Sequence, residues 1–213
     1  MTTPIAAVIT GDIVGSQKVE AKKYERFLNQ LNKLLTDLAA TYRLQFDIFR
    51  GDEFQLVLRQ PEQALRVAAL IRLALLAEQM DVRQSIAIGA IDRLRNNVKS
   101  STGDAFVRSG HQLDDMKSEL LRFSSSQPEL DRHLSVTIML FDAHLSSLTK
   151  TEALVLYYYL LHPDEPHKSL AVRLGKSRAN TTKLLNAGAY NAVDAYLTYA
   201  DAFIKQQVGA ANE

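Results

Sequence analysis

The chain opens on a short apolar run at residues 5–9 that ends in Thr10-Gly11-Asp12. An apolar run closed by a turn signal predicts a buried strand that feeds a loop. From Tyr24 onward, Phe27, Leu28, Leu31, Leu34, Leu35, Leu38 and Tyr42 recur at spacings of three and four, so one face of a helix is apolar. Leu44, Phe46 and Ile48 alternate with polar residues, Arg50-Gly51-Asp52-Glu53 interrupts, and Phe54, Leu56 and Leu58 alternate again. That pattern predicts a hairpin. Pro61 suits a first helical turn, and residues 64–77 are apolar nearly all round, as a helix laid on a sheet would be. Ile86, Ile88 and Gly89 supply a fourth strand. Strand, helix, hairpin, helix, strand is the split βαβ, ferredoxin-like order, βαββαβ.

A polar loop at residues 92–101 carries Arg93, Arg95 and Lys99, and is followed by a predicted helix at 103–117 and a strand at 120–124. Ser124-Ser125-Ser126-Gln127-Pro128 then breaks the pattern. This divides the chain into a domain at 1–126 and a helical domain at 127–213. Predicted helices in the second part cover 130–145, 150–161, 167–175 and a longer stretch from Ser177 towards Ile204. Gly175 between the last two has the form of a helix-turn-helix. The fold class is therefore α+β, a ferredoxin-like palm followed by an all-helical domain.

Composition narrows the chemistry. With 46% apolar and 23% charged residues, the 213-residue chain is an ordinary globular protein. No cysteine is present, which excludes disulfides, thiolate-bound zinc and a thiol nucleophile. The first residues lack the basic start of a signal peptide, and the most apolar segment is interrupted by Arg66 and Arg72. A cytoplasmic protein with no membrane partner is expected. The net charge of +1 means that any polyanion-binding surface is a local patch.

The predicted strand order carries a geometric consequence. In a split βαβ sheet the first strand lies antiparallel to the hairpin's second strand, so Asp12 at the end of one adjoins Asp52 at the start of the other. Like charges brought together need a cation. Oxygen-only ligands suit Mg²⁺ (or Mn²⁺), which completes its shell with water and phosphate oxygens, and a nucleoside triphosphate is the natural third party. Val14, Gly15 and Ser16 are expected to enter a helix whose free N–H groups hold phosphate. The plainer alternative is that Asp12 and Asp52, each beside a glycine, are turn residues. Glu53 is the weaker candidate, since strand alternation turns it away from Asp52.

Thr10-Gly11-Asp12-Ile13-Val14-Gly15-Ser16 together with Arg50-Gly51-Asp52-Glu53-Phe54 resembles the two metal-binding motifs of class III nucleotide cyclases and of GGDEF diguanylate cyclases. Over the whole chain the closer resemblance is to the SatD family, a palm followed by a helix-turn-helix, covering residues 5–124 and 133–204. The resemblance implies that Asp12 and Asp52 hold metal and do the catalytic work, with the Ile13 carbonyl as a further ligand. It implies nucleotide contacts from Val14, Gly15, Ser16, Arg50, Gly51 and Glu53, with Arg108 and Lys117 at the spacing of later GGDEF residues. Where class III cyclases carry a helix Asn and an Arg four residues on, this chain has Val107 and His111. Neither replaces the original group well.

Between Pro166 and Val193 the chain carries five basic residues, Lys168, Arg173, Lys176, Arg178 and Lys183, and no acidic ones. Ser177 is a good helix cap. Lys176, Ser177, Arg178, Asn180, Thr181, Thr182 and Lys183 are the candidate contacts to double-stranded DNA. A homodimer reading two half-sites is the physical expectation. The resulting expectation is a regulator in which a Mg²⁺-dependent nucleotide-binding palm controls a DNA-binding tail. Its rivals are an active cyclase or nucleotidyltransferase that makes a cyclic nucleotide, and an inactive interaction module.

Overall fold

The computed structural model describes residues 4–15, 21–49 and 51–210. Five strands, β1 (Ile5–Ile13), β2 (Gln45–Phe49), β3 (Glu53–Leu58), β4 (Val82–Ala90) and β5 (Leu121–Ser125), form one sheet in the order β2-β3-β1-β4-β5. β1 is antiparallel to both neighbours, and β5 is parallel to β4. Three helices belong to the sheet: α1 (Ala21–Tyr42), α2 (Ala64–Ala77) and α3 (Asp104–Asp115). The remainder is α4 (Pro128–Ser147), α5 (Lys150–Leu161), α6 (His167–Arg173), α7 (Arg178–Ala187) and α8 (Tyr190–Ala210). No helix among the described residues is long and apolar enough to cross a membrane.

Strand alternation assigns the two faces of the central strand. Ala7, Ile9 and Ile13 join Phe27, Leu31 and Leu70 in a core beneath α1 and α2. Ala6 and Val8 pack with Val57, Ala105 and Phe106 beneath α3. Because both faces are covered, β1 reads as an unbroken apolar run. α2 is covered on both sides, by the sheet and by α5, which is why its sequence is apolar all round. Leu134, Ile138, Leu156 and Leu197 from the tail helices belong to the same core as the sheet.

Three expectations change. The first strand continues through Ile13, so Asp12 lies within the ladder and not beyond it. The helix expected at Val14 to Ser16 is absent at Val14 and Gly15, which form a turn, with Gly15 at φ +72; Ser16 lies outside the described residues, and α1 starts at Ala21. The single long helix after Ser177 is two helices. The Gly188 N–H closes α7 on the Leu184 carbonyl, 2.9 Å away, and Ala189 adopts φ +51. The break turns α8 back so that Val193, Leu197, Ala200 and Ile204 are buried.

Candidate functional site

The end of β1 is built for close approach. A side chain at Gly11 would meet the Phe54 ring and the Arg83 carbonyl, so glycine lets β3 and β4 approach around the next residue. Register pairs Asp12 with Glu53 on β3 and with Arg83 on β4. Cross-strand partners share a face, and Glu53, Asp12 and Arg83 therefore form one row across three strands on the α3 side. The row behind it is polar too. Thr10 Oγ1 lies 2.8 Å from Ser109 Oγ of α3, Gln55 Nε2 donates to Thr10 Oγ1 at 3.0 Å, and Ser85 donates to Gln112 at 2.9 Å.

Asp52 reaches this end through the backbone. The Ile13 N–H donates to the Asp52 carbonyl at 3.2 Å, so the two aspartate motifs are hydrogen-bonded to each other. Gly51, at φ +85, holds the turn, and a Cβ there would fall on the Tyr24 hydroxyl. Burial, followed by the Asp52 charge, raises the Tyr24 pKa above its ordinary value. Tyr24 was legible only as the start of an amphipathic helix. Its hydroxyl is instead a polar group at the Gly51-Asp52 turn. Glu53, expected to be the weaker candidate because it turns away from Asp52, gains its place from the register with Asp12.

The expected cation at Asp12 turns out to be a side chain. Arg83 Nε donates to Asp12 Oδ1 at 2.9 Å and its Nη2 binds Oδ2, while Nη1 donates to the Met116 carbonyl at 3.1 Å. The hydrogen bond to Asp12 raises the Arg83 pKa, with the charges of Asp12 and Asp114 adding to it. Mg²⁺ takes one or two protein carboxylates and fills its octahedral shell with water and phosphate oxygens, so it needs a carboxylate oxygen free to face it. Both oxygens of Asp12 face a guanidinium, and no group of three or more His, Cys, Asp or Glu able to hold a metal ion exists among the described residues. The residues do not fit the expected metal as they stand. Like charges at this end call for a cation, and the neighbouring strand supplies one in Arg83.

The other expected residues are divided. Val14 is exposed in its turn, but its N–H donates to the Asp81 carbonyl at 2.9 Å and is not open to phosphate. Arg50, like Ser16, lies outside the described residues. Arg108 pairs with Asp104 at 2.6 Å, where Asp104 crowds Gly89; Gly89 registers with Ala6, at the opposite end of β1 from Asp12. Arg108 is therefore not brought to the aspartates. Lys117 is exposed just beyond α3, one residue from the Met116 carbonyl that holds Arg83. Val107 and His111 are both exposed on α3.

In the tail, α5, α6 and α7 enclose a small core of Val155, Leu170 and Leu185. Gly175 at φ +60 makes the turn, and Ser177 Oγ accepts the Asn180 N–H at 3.2 Å. Arg178, Asn180 and Lys183 are exposed, while Lys176 and Thr182 are half-buried. Thr181 is fully buried, and its hydroxyl donates to the Ser177 carbonyl at 3.0 Å. It cannot serve as the expected DNA contact. Arg173 is drawn to Glu165 at 2.6 Å, so the basic segment is partly neutralised by an acidic residue just before it.

Among curated proteins no relative matches the chain. Solved structures with a similar fold include a bacterial light-regulated adenylyl cyclase (TM-score 0.46, 15% identity, 58% of this chain and 77% of that one). The guanylyl cyclase Cya2 gives a TM-score of 0.47 at 14% identity over 67% of this chain and 79% of that one. The adenylyl cyclase CyaB from P. aeruginosa gives 0.47 at 14% identity over 66% and 82%. At these scores the likeness carries no argument. A family model matches far more of the sequence, from residue 5 to residue 193, and by that match the chain belongs to the SatD family.

Proposed function

We propose that this chain is a regulatory protein whose palm binds a nucleoside phosphate at the Asp12 and Asp52 end of the sheet and whose helical tail binds double-stranded DNA. The observation that carries the nucleotide reading is the register. Asp12 lies opposite Glu53, and the Ile13 N–H is bonded to the Asp52 carbonyl, so residues some forty positions apart in sequence form one polar end. Turnover is not part of the reading. Val107 carries no donor, Arg108 is held by Asp104, and loss of a transition-state donor typically costs about 10² to 10³ in rate. Mg²⁺ or Mn²⁺ is not carried forward either, because Asp12 already has a cationic partner in Arg83.

The tail reading is supported by the trihelical core, the capped α7 and the exposed Arg178, Asn180 and Lys183. α5 packs on α2 and on α7, which makes it the physical element through which a nucleotide-dependent shift in the palm would reach the DNA-facing helix. A homodimer engaging two half-sites is part of this proposal.

Calorimetry and thermal melting with the four nucleoside triphosphates test the palm, with and without Mg²⁺, on the wild type and on Asp12→Asn and Asp52→Asn. The expected result is saturable binding of at least one nucleotide that both variants weaken. Identical behaviour of all three proteins would remove the site. New phosphodiester products in the same incubations would establish the cyclase reading in its place.

A further inference from the structure

The guanidinium of Arg83 is fully committed. Two of its nitrogens grip the two oxygens of Asp12 and the third donates to the Met116 carbonyl just beyond α3, at 3.1 Å. A planar fork of donors matches a carboxylate in this bidentate way, whereas a lysine ammonium offers only a point charge. The arrangement is fixed from two directions. Antiparallel register sets Arg83 directly opposite Asp12, and the end of α3 holds the far side of the side chain. About a third of Arg83 and a fifth of Asp12 remain exposed, so the pair is partly open to solvent.

We infer that Arg83 is the resident cation of this site, taking at Asp12 the position that a divalent ion would need, so that the protein excludes free Mg²⁺ and Mn²⁺ there. An ion approaching Asp12 meets a carboxylate whose two oxygens are already engaged and a positive charge that repels it. Among the described residues there is no cluster of three acidic or histidine side chains to compensate. The resemblance of Gly11-Asp12 and Gly51-Asp52-Glu53 to metal motifs thus survives as a backbone arrangement whose charge partner has changed. What this end of the sheet presents is a carboxylate-guanidinium pair and not a free carboxylate.

The inference concerns the metal alone and stands or falls without any nucleotide. The test is Mn²⁺ binding to the full chain at neutral pH, read by electron paramagnetic resonance of the free ion and by calorimetry. The proteins compared are the wild type, Asp12→Asn, Arg83→Gln, Arg83→Lys and the double variant Asp12→Asn with Arg83→Gln. The wild type and Asp12→Asn are expected to bind Mn²⁺ equally weakly. Removing the cation in Arg83→Gln is expected to tighten binding by about tenfold or more, since an uncompensated carboxylate is left behind. The double variant loses that gain. Arg83→Lys falls between, and it serves as the readout should Arg83→Gln fail a thermal-melting check of folding. Wild-type Mn²⁺ binding that depends on Asp12 would overturn the inference, and so would a folded Arg83→Gln or Arg83→Lys protein with no gain.

Discussion

Of the arginines held by aspartate, Arg72 and Arg83 do different work because they sit at different depths. Arg72 on α2 has no exposed surface. It pairs with Asp81 at 3.1 Å, with Asp142 of α4, and with Ser146 Oγ at 2.7 Å, and the second Asp142 oxygen accepts the Leu120 N–H at 3.0 Å. That cluster ties α2, the start of β4, the approach to β5 and the tail helix α4 into one body. Arg83 pairs with the Asp12 carboxylate and is one third exposed. Burial makes the first pair a structural joint, since every charge in it is costly to leave alone. Partial exposure makes the second pair cheap to open.

The sharpest way to break this comparison is to remove each arginine in turn. Arg72→Met leaves two carboxylates uncompensated in the interior and is expected to cost about 3–5 kcal/mol. Arg83→Gln is expected to cost under about 1 kcal/mol, as for other exposed pairs. Urea unfolding of both variants measures the difference, and equal losses would show that depth does not separate the two sites.

A smaller effect is expected at the turn beside the open pair. Gly51→Ala forces a side chain into φ +85 and onto the Tyr24 hydroxyl, at an expected cost of about 1–3 kcal/mol together with weakened nucleotide binding. Tyr24→Phe is expected to leave stability near that of the wild type, so the two variants measured by melting separate steric from polar roles.

An exposed arginine at the start of α7 extends the series. Arg178→Ala is expected to leave the melting temperature unchanged, to weaken DNA-fragment binding by about tenfold, and to reduce the slope of log affinity against log salt by about 1. Fragment selection and a salt titration check both; an unchanged affinity would take Arg178 out of the interface.

A pH-dependent effect is expected at a junction whose arginine lies between Arg72 and Arg83 in depth. Arg66 on α2 reaches Asp194 and Asp201 of α8, each at 3.3 Å, and Asp201 Oδ1 is buried with no hydrogen-bond partner. Burial pushes the Asp201 pKa up to about 6 from 3.8, against the pull of Arg66. The folded protein therefore holds this proton more tightly than the unfolded chain. The stability it contributes is complete below the unfolded value and is lost as pH rises through about 6. Asp201→Asn is expected to remove that dependence, flattening the change in melting temperature across this window.

Much of this was legible residue by residue. The three-and-four spacing from Phe27 to Tyr42 gave α1, the apolar stretch from Ala64 to Ala77 matches α2 at both ends, and α5 matches from Lys150 to Leu161. The split βαβ order also placed β1 between β3 and β4. Less visible were positions whose meaning lies across the sheet. Arg83 precedes the apolar core of β4 and has no local signal, since its role depends on pairing with a residue 71 positions away. Thr181 resembles a groove-facing residue in sequence, yet its place on α7 turns it inward. The break at Gly188-Ala189 falls within a helix-compatible run, and it forms because α8 gains buried contacts by turning back.

By itself the sequence determined most of the elements, their order and the meeting of the Asp12 and Asp52 segments at one sheet end, because hydrophobic period and strand connectivity are properties of the chain read locally. Tertiary structure alone decided which charge faces Asp12 and which of the arginines is sealed in the core. Cross-strand register and helix docking set those partners, and both are settled by the burial of apolar surface throughout the fold, with the charged side chains finding their positions as a result.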